Sequence, residues 1–210
     1  MGKKAKTWAA GNLDVPLPAV SISPEALLET KLGSRAAAGR AIAAAAEEIG
    51  TTGMAHTNVL ASLALVRLGA DLDQVAKSLR WDDFERFCAS AIASTGYDVS
   101  TNVRLKKPTR QLDVVAESPA LVLAVDCKHW MRGSGVSRLA KSATAQAERA
   151  RNLARTGRYS SGKRILPVLL TLADDQVRVV EGVPVVPLHS LKGFLSAVSG
   201  FHEGLAFVDT

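Results

Sequence analysis

The chain has 210 residues, 47% of them apolar and only 5% aromatic, and carries a formal net charge of +6. That length and composition suit a soluble globular protein of one or two domains and exclude a disordered or low-complexity chain. No apolar run is long enough to span a membrane, and Lys3-Lys4-Ala5-Lys6 is not followed by the apolar stretch of a secretory signal, so a cytoplasmic protein is expected. Cys88 and Cys127 fall in apolar patterns with no metal-type spacing to histidines and are expected as buried thiols.

Residues 1–22 lack sustained periodicity and contain Asn12, Pro16 and Pro18, which predicts an extended or disordered arm. Ser23-Pro24-Glu25 then combines an N-cap, a proline at the first helical position and an acid at the positive end of the helix dipole. Helices are predicted over 24–32, 34–49, 55–68 and 71–79, giving a helical N-terminal module at 23–79. Its alanine-rich pairs lack a polar recognition helix, which favours a packing or dimerisation role over DNA reading.

From Trp81 the pattern changes. A helix over 82–95 stops at Gly96, a strand runs over 97–105, and Lys106-Lys107-Pro108-Thr109-Arg110 makes a turn. Two apolar strands follow, Gln111–Ala116 and Leu121–Trp130, joined by the turn Glu117-Ser118-Pro119-Ala120 as an antiparallel hairpin. Beyond them a helix over 136–156 carries the small-residue stripe Leu139, Ala143, Ala147, Ala150 and Ala154. A near-continuously apolar strand covers 164–171, as suits a sheet covered on both faces. Short strands near 177–180 and 183–187 and a helix over 189–198 complete a second domain at 80–200, leaving 201–210 as a tail.

Charges interrupt the two apolar strands of the hairpin. Asp113 lies in the first; in the second, Val125 and Cys127 point to one face while Asp126 and Lys128 point together to the other. Buried charges are costly without a partner or a metal. A hairpin folded about residue 118 or 119 sets Asp113 opposite roughly residue 124, with its carboxylate beside that of Asp126. Adjacent carboxylates repel unless a cation lies between them.

Asp113 followed by Asp126-Cys127-Lys128 resembles the signature of the PD-(D/E)xK nuclease superfamily, an acid at one strand end and then acid, any residue, lysine on the next strand. The helix Leu79–Cys88 and the elements downstream match the order of that fold, closest to Mrr-type restriction enzymes and archaeal Holliday-junction resolvases. The resemblance, over roughly residues 79–197, implies an α/β restriction-endonuclease-like mixed sheet flanked by helices, here with an α-helical N-terminal extension. It implies Glu85 as a further acid at the metal, the backbone carbonyl of Cys127 as a further ligand, and Gln146 as a residue near it. The family tyrosine that accompanies such a glutamine in some branches is replaced by Ala150.

Phosphodiester hydrolysis needs an activated water and relief of charge on the phosphate, both of which a divalent metal supplies. Mg²⁺ takes hard oxygen ligands, often one or two carboxylates, and Mn²⁺ is expected to substitute. Asp113 and Asp126 fit that role, with Lys128 orienting the water or stabilising charge in the transition state. The competing readings are a structural ion pair for Asp113, Asp126 and Lys128, an exposed helix acid for Glu85, and a surface or packing histidine for His129.

The stretch 138–164 holds eight Arg and Lys against the single acid Glu148, a net +7 suited to nucleic-acid phosphates or to a solvated helix face. Arg151, Arg155 and Arg158 fall on one predicted helical stripe, with Arg149 offset from Arg151 by about 160° and expected to contribute little. Arg104, Lys106, Lys107 and Arg110 form a second candidate contact at the hairpin tip. The expected function is a Mg²⁺-dependent DNA endonuclease; the alternative is a non-catalytic nucleic-acid-binding or assembly protein on the same fold. Cutting two strands uses two symmetric sites, which a homodimer supplies.

Overall fold

The Ser23 hydroxyl accepts the Ala26 N–H and Pro24 takes the first helical position, so helix α1 (Pro24–Leu32) starts with one of its free donors capped and another absent. The computed structural model describes residues 22–49, 57–106, 109–159, 162–200 and 203–210. The arm through residue 21, His56, Lys107 and His202 lie outside the described residues. Helices α2 (Arg35–Ile49), α3 (Thr57–Arg67) and α4 (Leu72–Lys77) follow. Leu28, Ala38, Ala45, Ala61, Leu65 and Val75 form the core they share. Val59 and Ala76 reach instead into the main core, seating α3 and α4 beside α5 (Trp81–Ala93).

Helix α5 is amphipathic, with Phe84, Phe87, Cys88 and Ile92 recurring at helical spacing and almost wholly buried. Burying each of the two phenylalanines contributes about 1.5–3 kcal/mol. Gly96, at φ 93°, turns the chain into the sheet.

Strands β1 (Asp98–Lys106), β2 (Thr109–Glu117) and β3 (Leu121–Lys128) form an antiparallel meander, and β3 pairs parallel with β4 (Arg164–Thr171). A parallel neighbour requires a crossover, and α6 (Val136–Ala154) supplies it, burying Leu139, Ala143, Ala147 and Ala150 of the expected stripe. The far edge of β4 pairs parallel with β6 (Val183–Pro187), which carries the two-residue β5 (Val179–Val180), and antiparallel with β7 (Val208–Asp209). A 3₁₀ turn at Leu188–Ser190 leads into the closing helix α7 (Leu191–Ala197). The result is a seven-stranded mixed sheet between α5 and α7 on one face and α6 on the other, with an N-terminal helical region. No helix among the described residues is long and apolar enough to cross a membrane.

Three expectations are corrected. The hairpin register is Val114↔Val125 and Glu117↔Val122, so Asp113, one step beyond the last pair, faces Asp126 itself rather than residue 124. The turn is centred slightly later than its proline suggests, because Ser118 N–H and hydroxyl both close onto the Leu121 carbonyl. Residues 208–209, expected within a tail, form β7 against the start of β4. Helix α6 ends at Ala154, and Gly157 at φ 63° redirects the chain, so Arg158 does not continue the helical stripe of Arg151 and Arg155.

One backbone feature sets up the site. Asn102 is left-handed at φ 53°, and its side-chain oxygen accepts from Gln111 Nε2 at 2.9 Å. Before Asn102, Val99 packs on the α5 side; after it, Val103 and Leu105 pack on the α6 side. The neighbouring strand changes face at the same level, with Val114 and Ala116 on the α5 side and Leu112 on the α6 side. Asp113 lies at that change of face.

Candidate active site

Strand β3 alternates without interruption, placing Leu123, Val125 and Cys127 toward α5 and Val122 and Ala124 toward α6. Asp126 and Lys128 share the parity of Ala124, as the alternation predicts, and so open toward α6. Both stand at the C-terminal end of β3, where the parallel strand β4 ends at Thr171.

Asp126 is 5% exposed and flanked by two cations. Lys128 Nζ lies 2.7 Å from its Oδ2, and Arg149 Nη1, from α6, lies 3.4 Å from its Oδ1. The lysine contact is an ion pair without hydrogen-bond alignment, which leaves Oδ2 buried and without a hydrogen-bonding partner. Asp113 Oδ2 accepts the backbone N–H of Cys127 at 2.9 Å. Burial, followed by the charge of Asp126, nevertheless lifts the Asp113 carboxyl to about 6.

Glu85 comes from α5 on the opposite side. It is 5% exposed, which overturns the reading of an exposed helix acid, and its Oε1 has no hydrogen-bonding partner. Burial, then the charges of Asp113 and Asp126, push its carboxyl up to about 7. Three carboxylates therefore influence one another, two of them held well above their ordinary range.

Gln146 is fully buried on α6. Its Nε2 donates to the Ala124 carbonyl at 2.7 Å, and its Oε1 accepts from Arg149 Nη1 at 3.0 Å. It thus touches the site through Arg149. The Cys127 thiol turns away from the carboxylates into the α5 core beside Cys88, and the hydrogen bond with Cys88, then burial, raises it well above its ordinary value. Both cysteines are free. His129 packs on Phe84, with ring centroids 4.8 Å apart, and sets its Nε2 3.0 Å from the Ala76 carbonyl, fastening β3 to α4.

The expected phosphate contacts divide in two. Arg104 and Lys106 are exposed on β1, and Arg110 pairs with Glu148 at 3.6 Å, bringing the hairpin tip over α6. Arg151 and Arg155 are exposed, the latter donating to Asn152 at 3.3 Å, while Arg158 lies 5.8 Å from the Tyr159 ring. Arg149, which sequence reasoning set aside because it points away from the stripe, is the arginine placed at Asp126. The i,i+3 spacing from Gln146 was the available signal. Trp130 was also missed: the Arg138 guanidinium stacks 4.2 Å from its ring and Lys128 Nζ lies 5.9 Å away.

The donor set suits a hard divalent cation. Its members are carboxylate oxygens, two of them buried without a hydrogen-bonding partner, and Mg²⁺ commonly takes only one or two protein carboxylates. Among the described residues no group of three or more His, Cys, Asp or Glu closes into a metal-ligating cluster.

The family model Mrr_cat, described as "Restriction endonuclease", matches residues 76–160, a span holding Glu85, Asp113, Asp126, Lys128 and Gln146. An uncharacterized protein of Archaeoglobus fulgidus is 34% identical over 128 residues, covering 56% of this chain and 91% of that protein. No solved structure gives a significant match. Within the mixed sheet and its flanking helices, residues 76–160 are thus a restriction endonuclease domain of the Mrr type, which belongs to the PD-(D/E)xK nuclease superfamily.

Proposed function

We propose that this nuclease is a divalent-metal-dependent DNA endonuclease, acting in restriction, repair or recombination, with Mg²⁺ as its working ion and Mn²⁺ able to replace it. The observation that carries the reading is the pairing of Asp113 and Asp126 at facing positions where the β2–β3 ladder stops, with Lys128 2.7 Å from Asp126 and the charge of both acids felt by the buried Glu85. Carboxylates crowded in this way resist ionising together, and a cation relieves them.

Asp113 and Asp126 are the residues that would hold the ion, with Glu85 and the Cys127 carbonyl completing its surroundings. A bound divalent cation supplies water activation and charge neutralisation on the phosphate. Lys128 places its ammonium at the same point, to orient the attacking water and stabilise developing negative charge. Gln146 fixes the geometry of the α6 side through Ala124 and Arg149. Arg104, Lys106, Lys107, Arg110, Arg151, Arg155 and Arg158 supply counter-charge for the DNA backbone. The helices of residues 23–79 act as an extension seated on a nuclease unit of residues 80–200, and a homodimer would present two such sites to two strands.

The competing reading, a non-catalytic nucleic-acid binder, draws on the two cations already paired to Asp126. One assay separates them: incubation with linear duplex, single-stranded, flap and four-way-junction DNA in Mg²⁺ or Mn²⁺. Metal-dependent cleavage of at least one substrate, abolished by chelator, is expected. Binding without cleavage under every condition would favour the non-catalytic protein.

A further inference from the structure

We infer that Arg149 grips the scissile phosphate, with Gln146 as its positioning residue and Asp126 as its resting partner while no nucleic acid is bound. The inference rests on the nuclease reading above and assigns a substrate contact within that site.

The guanidinium is only partly used. Arg carries five N–H donors in a planar fork, yet among the described residues only Nη1 has partners, Gln146 Oε1 at 3.0 Å and Asp126 Oδ1 at 3.4 Å. Nε and Nη2 are left to solvent, and the side chain is 26% exposed. An arginine kept only to neutralise a buried carboxylate would lay its fork across both oxygens. Here the contact is one-sided and longer, and Asp126 already has Lys128 at 2.7 Å.

The placement is rigid. Gln146 is fully buried and anchored on the Ala124 carbonyl, two residues before Asp126 on β3, so the sheet sets where Arg149 stands. Its two open donor positions match the spacing of two phosphate oxygens, which guanidinium binds side by side. The guanidinium stands 3.4 Å from Asp126, itself 2.7 Å from Lys128, so a phosphate it takes up lies beside those residues and is the one under attack rather than a distant backbone contact.

The test compares wild type, Arg149→Ala and Arg149→Lys. Binding of a short mixed-sequence duplex is measured in EDTA across a salt series, and single-turnover cleavage is followed at saturating duplex in Mg²⁺. Arg149→Ala should weaken binding and make log K against log salt shallower by about 0.9, the loss of one phosphate contact. Arg149→Lys should keep the slope, because the charge remains, while its single-turnover rate falls at least about ten-fold for want of the fork. A wild-type slope in Arg149→Ala, with or without a lower melting temperature, would overturn the assignment, as would a wild-type rate in Arg149→Lys. If Arg149→Ala does not fold, the lysine variant decides alone. Wild type that binds with an Arg149-dependent slope but cleaves nothing would sink the nuclease reading and leave the phosphate contact standing. Cleavage undiminished in Arg149→Ala would do the reverse.

Discussion

Asp113 Oδ2 accepts the backbone N–H of Cys127 at 2.9 Å, so a candidate metal ligand also stitches β2 to β3 at the point where their ladder stops. The charge and the hydrogen bond can be separated by substitution. Asp113→Asn retains an oxygen to accept the N–H and removes the repulsion of Asp126, so its melting temperature should equal or exceed wild type while cleavage is lost. Asp113→Ala leaves the Cys127 N–H without its partner and should be less stable than the asparagine variant by about 1–3 kcal/mol. Denaturant titration of the two variants checks the order; an alanine variant as stable as the asparagine one would show that the bond contributes nothing.

The raised carboxyls make stability depend on pH in a defined direction. Glu85 sits at about 7 against an ordinary 4.5, and Asp113 at about 6 against 3.8. The folded state therefore holds these protons more tightly than the unfolded chain. The stability they contribute is present below the ordinary values and is lost as pH rises through 6 and 7. In EDTA the melting temperature should fall by roughly 10 °C between pH 5 and pH 8, and Glu85→Gln should flatten the decline. Thermal melts of both proteins across that range test this, and a melting temperature that climbs toward pH 8 in wild type would contradict it.

Protons and a cation compete for the same oxygens. Affinity for Mn²⁺, measured by calorimetry without DNA, should accordingly strengthen from pH 5.5 to 7.5 as Asp113 and Glu85 ionise. Lys128→Ala should leave that binding in place or tighten it, since Nζ lies 2.7 Å from the Asp126 oxygen the ion would use. Loss of Mn²⁺ binding in this variant would make Lys128 a structural support of the site.

Asn102 offers a test remote from chemistry. At φ 53° a residue with a Cβ is strained by about 1–2 kcal/mol, which asparagine tolerates better than most. Asn102→Ala should destabilise by about that amount and Asn102→Gly by less, because glycine recovers the backbone freedom but loses the Gln111 contact. Equal stability of the alanine variant and wild type in urea would remove Asn102 as the cause of the change of face.

The elements and acids near the hairpin were legible because the physics is local. Alternation on β3 places Asp126 and Lys128 together whatever else the chain does, and the stripe on α6 announces a helix against a sheet. The Asp113 register was off because the hairpin was folded about residue 118 or 119, whereas the Ser118 closure onto Leu121 centres it between 119 and 120. Glu85 kept a competing reading as an exposed acid, since burial depends on β2 and β3 arriving over α5, a long-range event that periodicity does not record. Arg149 was set aside because it lies off the basic stripe. Only packing on the sheet shows that the offset face is the one over Asp126.

The most direct measurement of the central claim is single-turnover cleavage of duplex DNA in Mg²⁺ by wild type and Asp126→Asn, prepared side by side and each shown to bind the duplex. The account predicts cleavage by wild type that stops on chelation, and a rate at least about 10²-fold lower in Asp126→Asn, with DNA binding equal or tighter because a negative charge facing phosphate is gone. Equal rates in the two proteins would contradict it and place the chemistry elsewhere on the fold.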